Sequence, residues 1–299
     1  MPAMRYLNYA LPCMLALLTA ACNSNDDNPP VPLQYRISWI HSEDSYQLYE
    51  YDNEGRIAKW EYNEPGPDLT VSCSSSFTYP ADGTSIAIVA EETRGDMALD
   101  FNETLHLNAD GTASRAEGTV LLKRGDSLMR KNYTAAFEYN HLHQLTEIEI
   151  TEKRVDTATG SEETYPLEWA ISLEWSENNL TGYSEYTDPE YPAVTKAYTY
   201  FGGAVPYHMP VVQGPILRAY YLPLQYQGIL GRLSEGMVKE MEYTSRDLHL
   251  VSAFSYSAAV SANNSFVESY SIMQGGKETE YTIGWDTKKN NNLWNDLNR

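Results

Sequence analysis

The sequence predicts an all-β protein: an antiparallel meander of serial β-hairpins, curled into a closed or partly open barrel-like sheet. Three observations predict it. Apolar and polar residues alternate with a period of two, one hairpin motif recurs along the chain, and no long segment carries a helical period.

The alternation is plain in several stretches. Trp169, Ile171, Leu173 and Trp175 alternate with Ala170, Ser172 and Glu174. Ile148 and Ile150 alternate with Glu147 and Glu149, and Tyr35, Ile37 and Trp39 with Arg36 and Ser38. Successive side chains of a strand point to opposite faces, so each pattern describes an antiparallel strand with one face in the core and one in water.

The recurring unit is an apolar-x-aromatic strand end, a tight polar turn and a return strand. It reads Leu48-Tyr49-Glu50-Tyr51 before Asp52-Asn53-Glu54-Gly55, and Ala136-Phe137-Glu138-Tyr139 before Asn140-His141-Leu142-His143. Leu173-Glu174-Trp175 and Met241-Glu242-Tyr243 open further copies, and Phe77-Thr78-Tyr79 and Leu105-His106-Leu107 open looser ones. Asp-Gly and Asn-rich turns suit hairpins because they accept positive φ. Units starting near 49, 77, 105, 137 and 173 are 28 to 36 residues apart, which fits two strands and two connections. A sheet of a dozen or so strands twists until it curls or closes, and closure removes exposed edges.

The last gap, of 68 residues before the unit at 241, contains a Tyr/Pro/Gly-rich insertion at about 183–232. It is expected to form long loops with a short helix around Ile216–Tyr221, and long loops on a rigid sheet commonly carry binding. Tyr200, Tyr207, Tyr220, Tyr221 and Tyr226 are the candidate ligand-binding residues, with a place in the core as the competing role. Tyrosine is in surplus, 24 against 6 Trp and 6 Phe, and its amphipathic ring suits both uses.

The N-terminus carries an address. Residues 1–21 read as a signal peptide: Arg5 for charge, an apolar run from Leu11 to Leu18, and small residues before Cys22. The run is too short to span a bilayer. Leu18-Thr19-Ala20-Ala21-Cys22 resembles the lipobox of bacterial lipoproteins, which implies lipidation of Cys22 and anchoring to the membrane through acyl chains. Residues 22–33 then read as the lipidated Cys and a disordered tether, residues 34–287 as one β domain, and 288–299 as a polar C-terminal tail. Asp26-Asp27 resembles the surface-export signal of Bacteroidetes lipoproteins. That implies the outer membrane and its external face, with a periplasm-facing barrel as the alternative.

Composition limits the partners. Loss of residues 1–21 removes one charge, leaving 20 basic and 41 acidic residues, a formal −21. Nucleic acid is excluded as a partner because binding it requires Lys and Arg to neutralise phosphates. Cys73 is left without an intramolecular disulfide partner once Cys22 is lipidated, and reads as a buried, inert strand residue.

Together the lipobox, acidic tether, serial hairpins such as Tyr51-Asp52-Asn53-Glu54-Gly55-Arg56-Ile57 and the late Leu222-Pro223 insertion resemble an uncharacterised family of Bacteroidetes lipoproteins described as having a porin-like β fold. The resemblance implies fold and compartment and carries no activity. A membrane-spanning porin conflicts with the Glu-rich strand faces, since charged side chains facing lipid are destabilising at the bilayer midplane.

No catalytic residue, metal site or cofactor is assigned from sequence. His141 and His143 fall in a turn with no third ligand, and no phosphate loop, nucleophile elbow or calcium loop is present. Asp126-Ser127-Leu128 and Asp156-Thr157-Ala158 resemble bacterial O-glycosylation acceptors, which marks Ser127 and Thr157. Three functions follow in order of preference: a non-enzymatic binding module for a glycan or protein, a carrier of an apolar or lipid ligand inside the curved sheet, and a glycan hydrolase.

Overall fold

The computed structural model describes residues 36–65, 70–156, 159–164, 169–188, 191–202, 207–208, 216–261 and 264–286. Cys22, the signal and tether segments around it, and the tail at 288–299 lie outside them.

The first half of the described chain is an unbroken meander. Its strands are β1 (Arg36–His41), β2 (Tyr46–Tyr51), β3 (Ile57–Pro65), β4 (Thr70–Thr78), β5 (Ser85–Arg94) and β6 (Met97–Leu107). They continue as β7 (Ala113–Arg124), β8 (Ser127–Tyr139) and β9 (Leu145–Val155). The second half holds β10 (Glu162–Thr164), β11 (Trp169–Ser176), β12 (Asn179–Asp188), β13 (Tyr191–Tyr200) and β14 (Tyr207–His208). It ends with β15 (Val238–Ser245), β16 (His249–Ser261), β17 (Asn264–Gln274) and β18 (Lys277–Asp286).

Each wall strand pairs antiparallel with its neighbours, and β18 pairs with β1, so the sheet closes. β10 and β11 both pair with β9 and act as two pieces of one wall strand. The result is a closed 16-stranded antiparallel meander barrel with one extra strand, β14, which lies parallel to β17. Closure pairs the first wall strand with the last, so neither is left as an open sheet edge.

Alternation sets what the wall encloses. On β5, Ile86, Ile88 and Ala90 are buried while Ala87, Val89 and Glu91 are exposed. On β8, Tyr133, Ala135 and Phe137 face inward and Thr134, Ala136 and Glu138 outward. Ile148, Ile150, Ile171 and Leu173 are in the core, as their periodicity predicts. The barrel is therefore apolar inside and largely polar or small outside, the reverse of a wall facing lipid. In β1 the expected alternation breaks. A bulge between Ile37 and Trp39 buries Ile37 and Ile40 instead and lays Trp39 on Gly284, where a Cβ would come within 2.2 Å of the indole.

In a meander, successive turns fall at opposite ends. The turns 52–56, 79–84, 108–112, 140–144 and 177–178 gather at one end, and 42–45, 95–96, 125–126, 246–248 and 275–276 at the other. Five of the six repeat units share the first end. Their apolar residues Tyr49, Phe77, Leu105, Phe137 and Leu173 are buried, and Tyr51, Tyr79, Leu107, Tyr139 and Trp175 pack half-buried behind them. The repeat is the inner rim of one barrel end. The sixth unit is out of phase: β15 runs the other way, so Met241-Glu242-Tyr243 leads to a turn at the opposite end.

The insertion differs from expectation at its start. Tyr183–Tyr200 is not loop, because Asn179–Asp188 and Tyr191–Tyr200 are wall strands β12 and β13. The departure from the wall begins at Phe201 and ends before Val238. Its helix also starts later than expected. A 3-10 turn spans Ala219–Tyr221, and the α-helix α1 is Leu222–Tyr226, with Pro223 in the first turn where its missing N–H costs nothing.

Candidate functional site: a plugged barrel and its mouth

The described part of that crossover, 216–237, enters the barrel and fills it. Residues 227–235 bond to the turns of the repeat rim: Ile229 O accepts from Ala113 N at 2.7 Å, His143 O from Arg232 N at 2.8 Å, and Asn178 O from Glu235 N at 3.1 Å. Gln227 donates to Gly55 O at 3.3 Å, and Tyr79 donates to Gln227 at 3.3 Å. The rim thus holds the base of a plug, and this end is the plug end.

Inside, Tyr220, Tyr221, Leu222 and Leu224 are at most 6% exposed. Their anchor is Glu103, itself 1% exposed. Its carboxylate accepts from the hydroxyls of Tyr133 (2.5 Å), Tyr220 (2.9 Å) and Tyr221 (2.6 Å). Register explains the meeting. Ile88, Glu103, Gly118, Tyr133 and Glu152 form one row across β5 to β9. Gly118 stands between Glu103 and Tyr133, and a Cβ there would lie 2.8 Å from the Tyr133 hydroxyl, so its bareness lets the phenol reach the carboxylate.

Arg218 completes the cluster. Its guanidinium lies 4.5 Å from the Tyr133 ring centre and 4.9 Å from that of Phe101. Glu152 lies 3.9 Å from it and bonds Lys131 at 2.7 Å. Burial, then the Glu103 carboxylate, pushes the Tyr220 and Tyr221 phenols well above the usual tyrosine range. All three phenols act as donors to one carboxylate, which is a structural lock and leaves no group disposed to attack a substrate.

The other end keeps a cavity of about 380 Å³ between plug and wall. Leu217, Ala219 and Leu222 of the plug border it from within. Two aromatic pairs line it: Trp60 with Tyr62 on β3, 5.4 Å apart and 9° from parallel, and Tyr270 with Tyr281 on β17 and β18, 4.8 Å apart at 8°. Ile40 and Gln47 belong to the strands between the two pairs, β1 and β2. Tyr46, 41% exposed, brings the lining to the solvent surface, so we call this end the mouth. Glu64 and Arg94 are the charged lining residues. Tyr62 donates to Glu64, and Arg94 pairs with Glu92, which is 2% exposed. Burial raises the Glu64 carboxyl above the usual range. Leu217 reaches this cavity with φ +72°, a left-handed backbone that a leucine seldom adopts.

Of the five tyrosines named from sequence, the four with described side chains pack into the barrel instead of forming a recognition surface. Tyr220 and Tyr221 are fully buried lock residues. Tyr200 donates to Leu180 O at 2.5 Å beneath Gly236, and Tyr226 sits edge-on to Tyr49 at 6.0 Å. Tyr207 is placed by its backbone in β14, and its side chain is outside the described residues. The correction has a physical cause: the hydrophobic interior of so wide a barrel needs filling, and the aromatic insertion is the filler. The cavity aromatics instead come from wall strands, where alternation made them look like ordinary core.

Cys73 is a free, buried residue of β4, its thiol pushed up to about 12 by burial and by Glu92. His141 and His143 are exposed turn residues, and His143 Nδ1 lies 3.0 Å from Asp110. Among the described residues no three His, Cys, Asp or Glu side chains gather as a metal site. Ser127 is exposed at the start of β8, and Thr157 lies outside the described residues.

No protein-family model and no curated protein matches the chain. Among solved structures it is similar to a porin-like protein from Bacteroides uniformis at 16% identity and TM-score 0.48, over 84% of this chain and 96% of that one. It is also similar to a porin-like protein from Bacteroides vulgatus at 11% identity and TM-score 0.46, over 84% of this chain and 98% of that one.

Proposed function

We propose that the protein is a non-enzymatic binding module of the cell envelope that takes a saccharide ring into the mouth cavity. It is anchored by lipid on Cys22 in the outer membrane and displayed on the cell surface. One observation carries the reading: a cavity between plug and wall is lined by two stacked aromatic pairs with a few polar side chains. Its volume, about 380 Å³, falls within the range of small-molecule sites. Aromatic rings offer a sugar an apolar platform, while Gln47, Ser45 and Glu64 offer hydrogen bonds to hydroxyls. Carriage of a long-chain lipid fits less well, since Tyr220, Tyr221, Leu222 and Leu224 already occupy the lumen such a chain would need.

The test is glycan-array screening of the purified mature protein, followed by calorimetry with Tyr62→Ala and Tyr281→Ala variants. Binding of a saccharide that falls about tenfold or more in either variant, the loss of about 1.4 kcal/mol, supports the site. Absence of saccharide binding, or binding indifferent to both variants, defeats it. Protease treatment of intact cells tests the address: digestion supports surface display, and protection in intact but not lysed cells assigns the periplasmic face.

A further inference from the structure

We infer that the mouth cavity selects a cationic ligand, a saccharide ring bearing a free ammonium group, and that Glu64 is the residue that selects it. The inference rests on the saccharide reading of the same cavity and adds the charge of the ligand.

The cavity has two charged lining residues, and they are not equivalent. Arg94 is committed to Glu92, the neighbouring inward position on its own strand β5. Glu92 is 2% exposed, so its negative charge is balanced inside the wall and Arg94 is held there. Among the described residues Glu64 has no such counter-ion. Its hydrogen-bond partner among the described residues is the Tyr62 hydroxyl, a neutral donor. The remaining polar lining groups, Ser45, Tyr46, Gln47, Tyr270 and Tyr281, are neutral as well. The carboxylate at the cavity therefore faces phenols, an amide and a hydroxyl, with the one nearby cation already paired.

The surroundings favour a cation over a second neutral donor. Glu64 lines the same cavity as the Tyr270–Tyr281 pair as well as its own neighbour Tyr62. An ammonium group entering between the pairs meets aromatic π-systems, which attract cations, and the solvent-exposed carboxylate of Glu64 on the cavity lining. The chain's formal charge of −20 adds a long-range field that concentrates cations around the barrel and repels anionic sugars. Arg94 makes an acidic sugar a worse fit than it first seems, because that ligand would have to compete with the buried Glu92 carboxylate for the half-exposed guanidinium.

The experiment is calorimetric titration of the full mature protein with glucosamine, N-acetylglucosamine and glucose, for the wild type and for Glu64→Gln, at low and physiological salt. Glucosamine is expected to bind the wild type at least tenfold tighter than either neutral sugar, with the margin shrinking as salt rises. Glu64→Gln is expected to bring the three to within about twofold while leaving the melting temperature unchanged. Equal wild-type affinities for all three sugars would overturn the charge inference and leave the saccharide site standing. A glucosamine preference that survives Glu64→Gln would overturn the role of Glu64. Failure of all three to bind the wild type overturns the inference together with the saccharide reading.

Discussion

The two ends of the barrel solve the same problem in opposite ways. At the plug end the lumen is filled, and the plug's base hydrogen-bonds to rim turns along β2 to β12. At depth, three phenols share one carboxylate. At the mouth the same wall alternation leaves about 380 Å³ unfilled, with aromatic pairs and Glu64 around it. The lesson is where strength and reactivity go in a wide barrel. Phenols that share one buried carboxylate make a lock, and aromatic and polar groups left around an unfilled space make a site.

Replacement of Glu103 cuts most deeply into the contrast. Glu103→Ala strips three buried hydroxyls of their acceptor and opens a cavity, and should cost about 3–5 kcal/mol in urea unfolding. Tyr281→Ala at the mouth should cost far less stability while abolishing ligand binding. If Glu103→Ala proved as mild as Tyr281→Ala, the plug would not be locked and the division between the ends would collapse.

A smaller effect is expected from Gly118→Ala. The added methyl meets Asn102 O at 2.6 Å and the Tyr133 hydroxyl at 2.8 Å, so it should destabilise by about 1–3 kcal/mol. The diagnostic is non-additivity. In a double-mutant cycle with Tyr133→Phe, part of the loss should vanish, because the clash and the lost hydrogen bond share one partner. Simple additivity would separate Gly118 from the lock.

The mildest prediction concerns pH. The Cys73 thiol is pushed up to about 12 in the fold, whereas an unfolded thiol ionises near ~8.5. The unfolded state therefore binds fewer protons above that point, and stability falls as pH rises from there towards 12, with the buried phenols adding to the slope above ~10. Below pH 8 Cys73 should contribute no pH dependence. Native protein should resist thiol reagents at pH 8 and react fully in denaturant. Rapid labelling of Cys73 in the native state would show that β4 opens readily, and that the wall is looser than the lock implies.

Much of the wall was legible because its information is local. A period of two names the face of Ile148, Ile150, Ile171 and Leu173, and the recurrent motif marks where each strand reaches the plug end. Legibility failed where local signals mislead. The bulge at Ile37/Trp39 shifts a face without changing composition, and the Tyr-rich strands β12 and β13 resemble loop because their Pro and Gly residues sit at strand ends or against a neighbouring side chain. The mouth cavity was illegible for a different reason. Trp60, Tyr62, Tyr270 and Tyr281 look like any inward aromatics until closure brings β3 and β18 to the same side of the barrel.

By itself, then, the sequence determined an antiparallel hairpin meander, a rim of repeated aromatic strand ends and a strongly acidic molecule, since these depend on neighbours a few residues apart and on summed charge. Tertiary structure alone decided that β18 closes onto β1, that the Tyr-rich crossover becomes a plug fastened by Glu103, and that Glu64 is left facing a cavity. Those outcomes depend on register across strands and on which side chains fill a shared interior, and both arise only when residues as far apart in sequence as Arg36 and Asp286 meet.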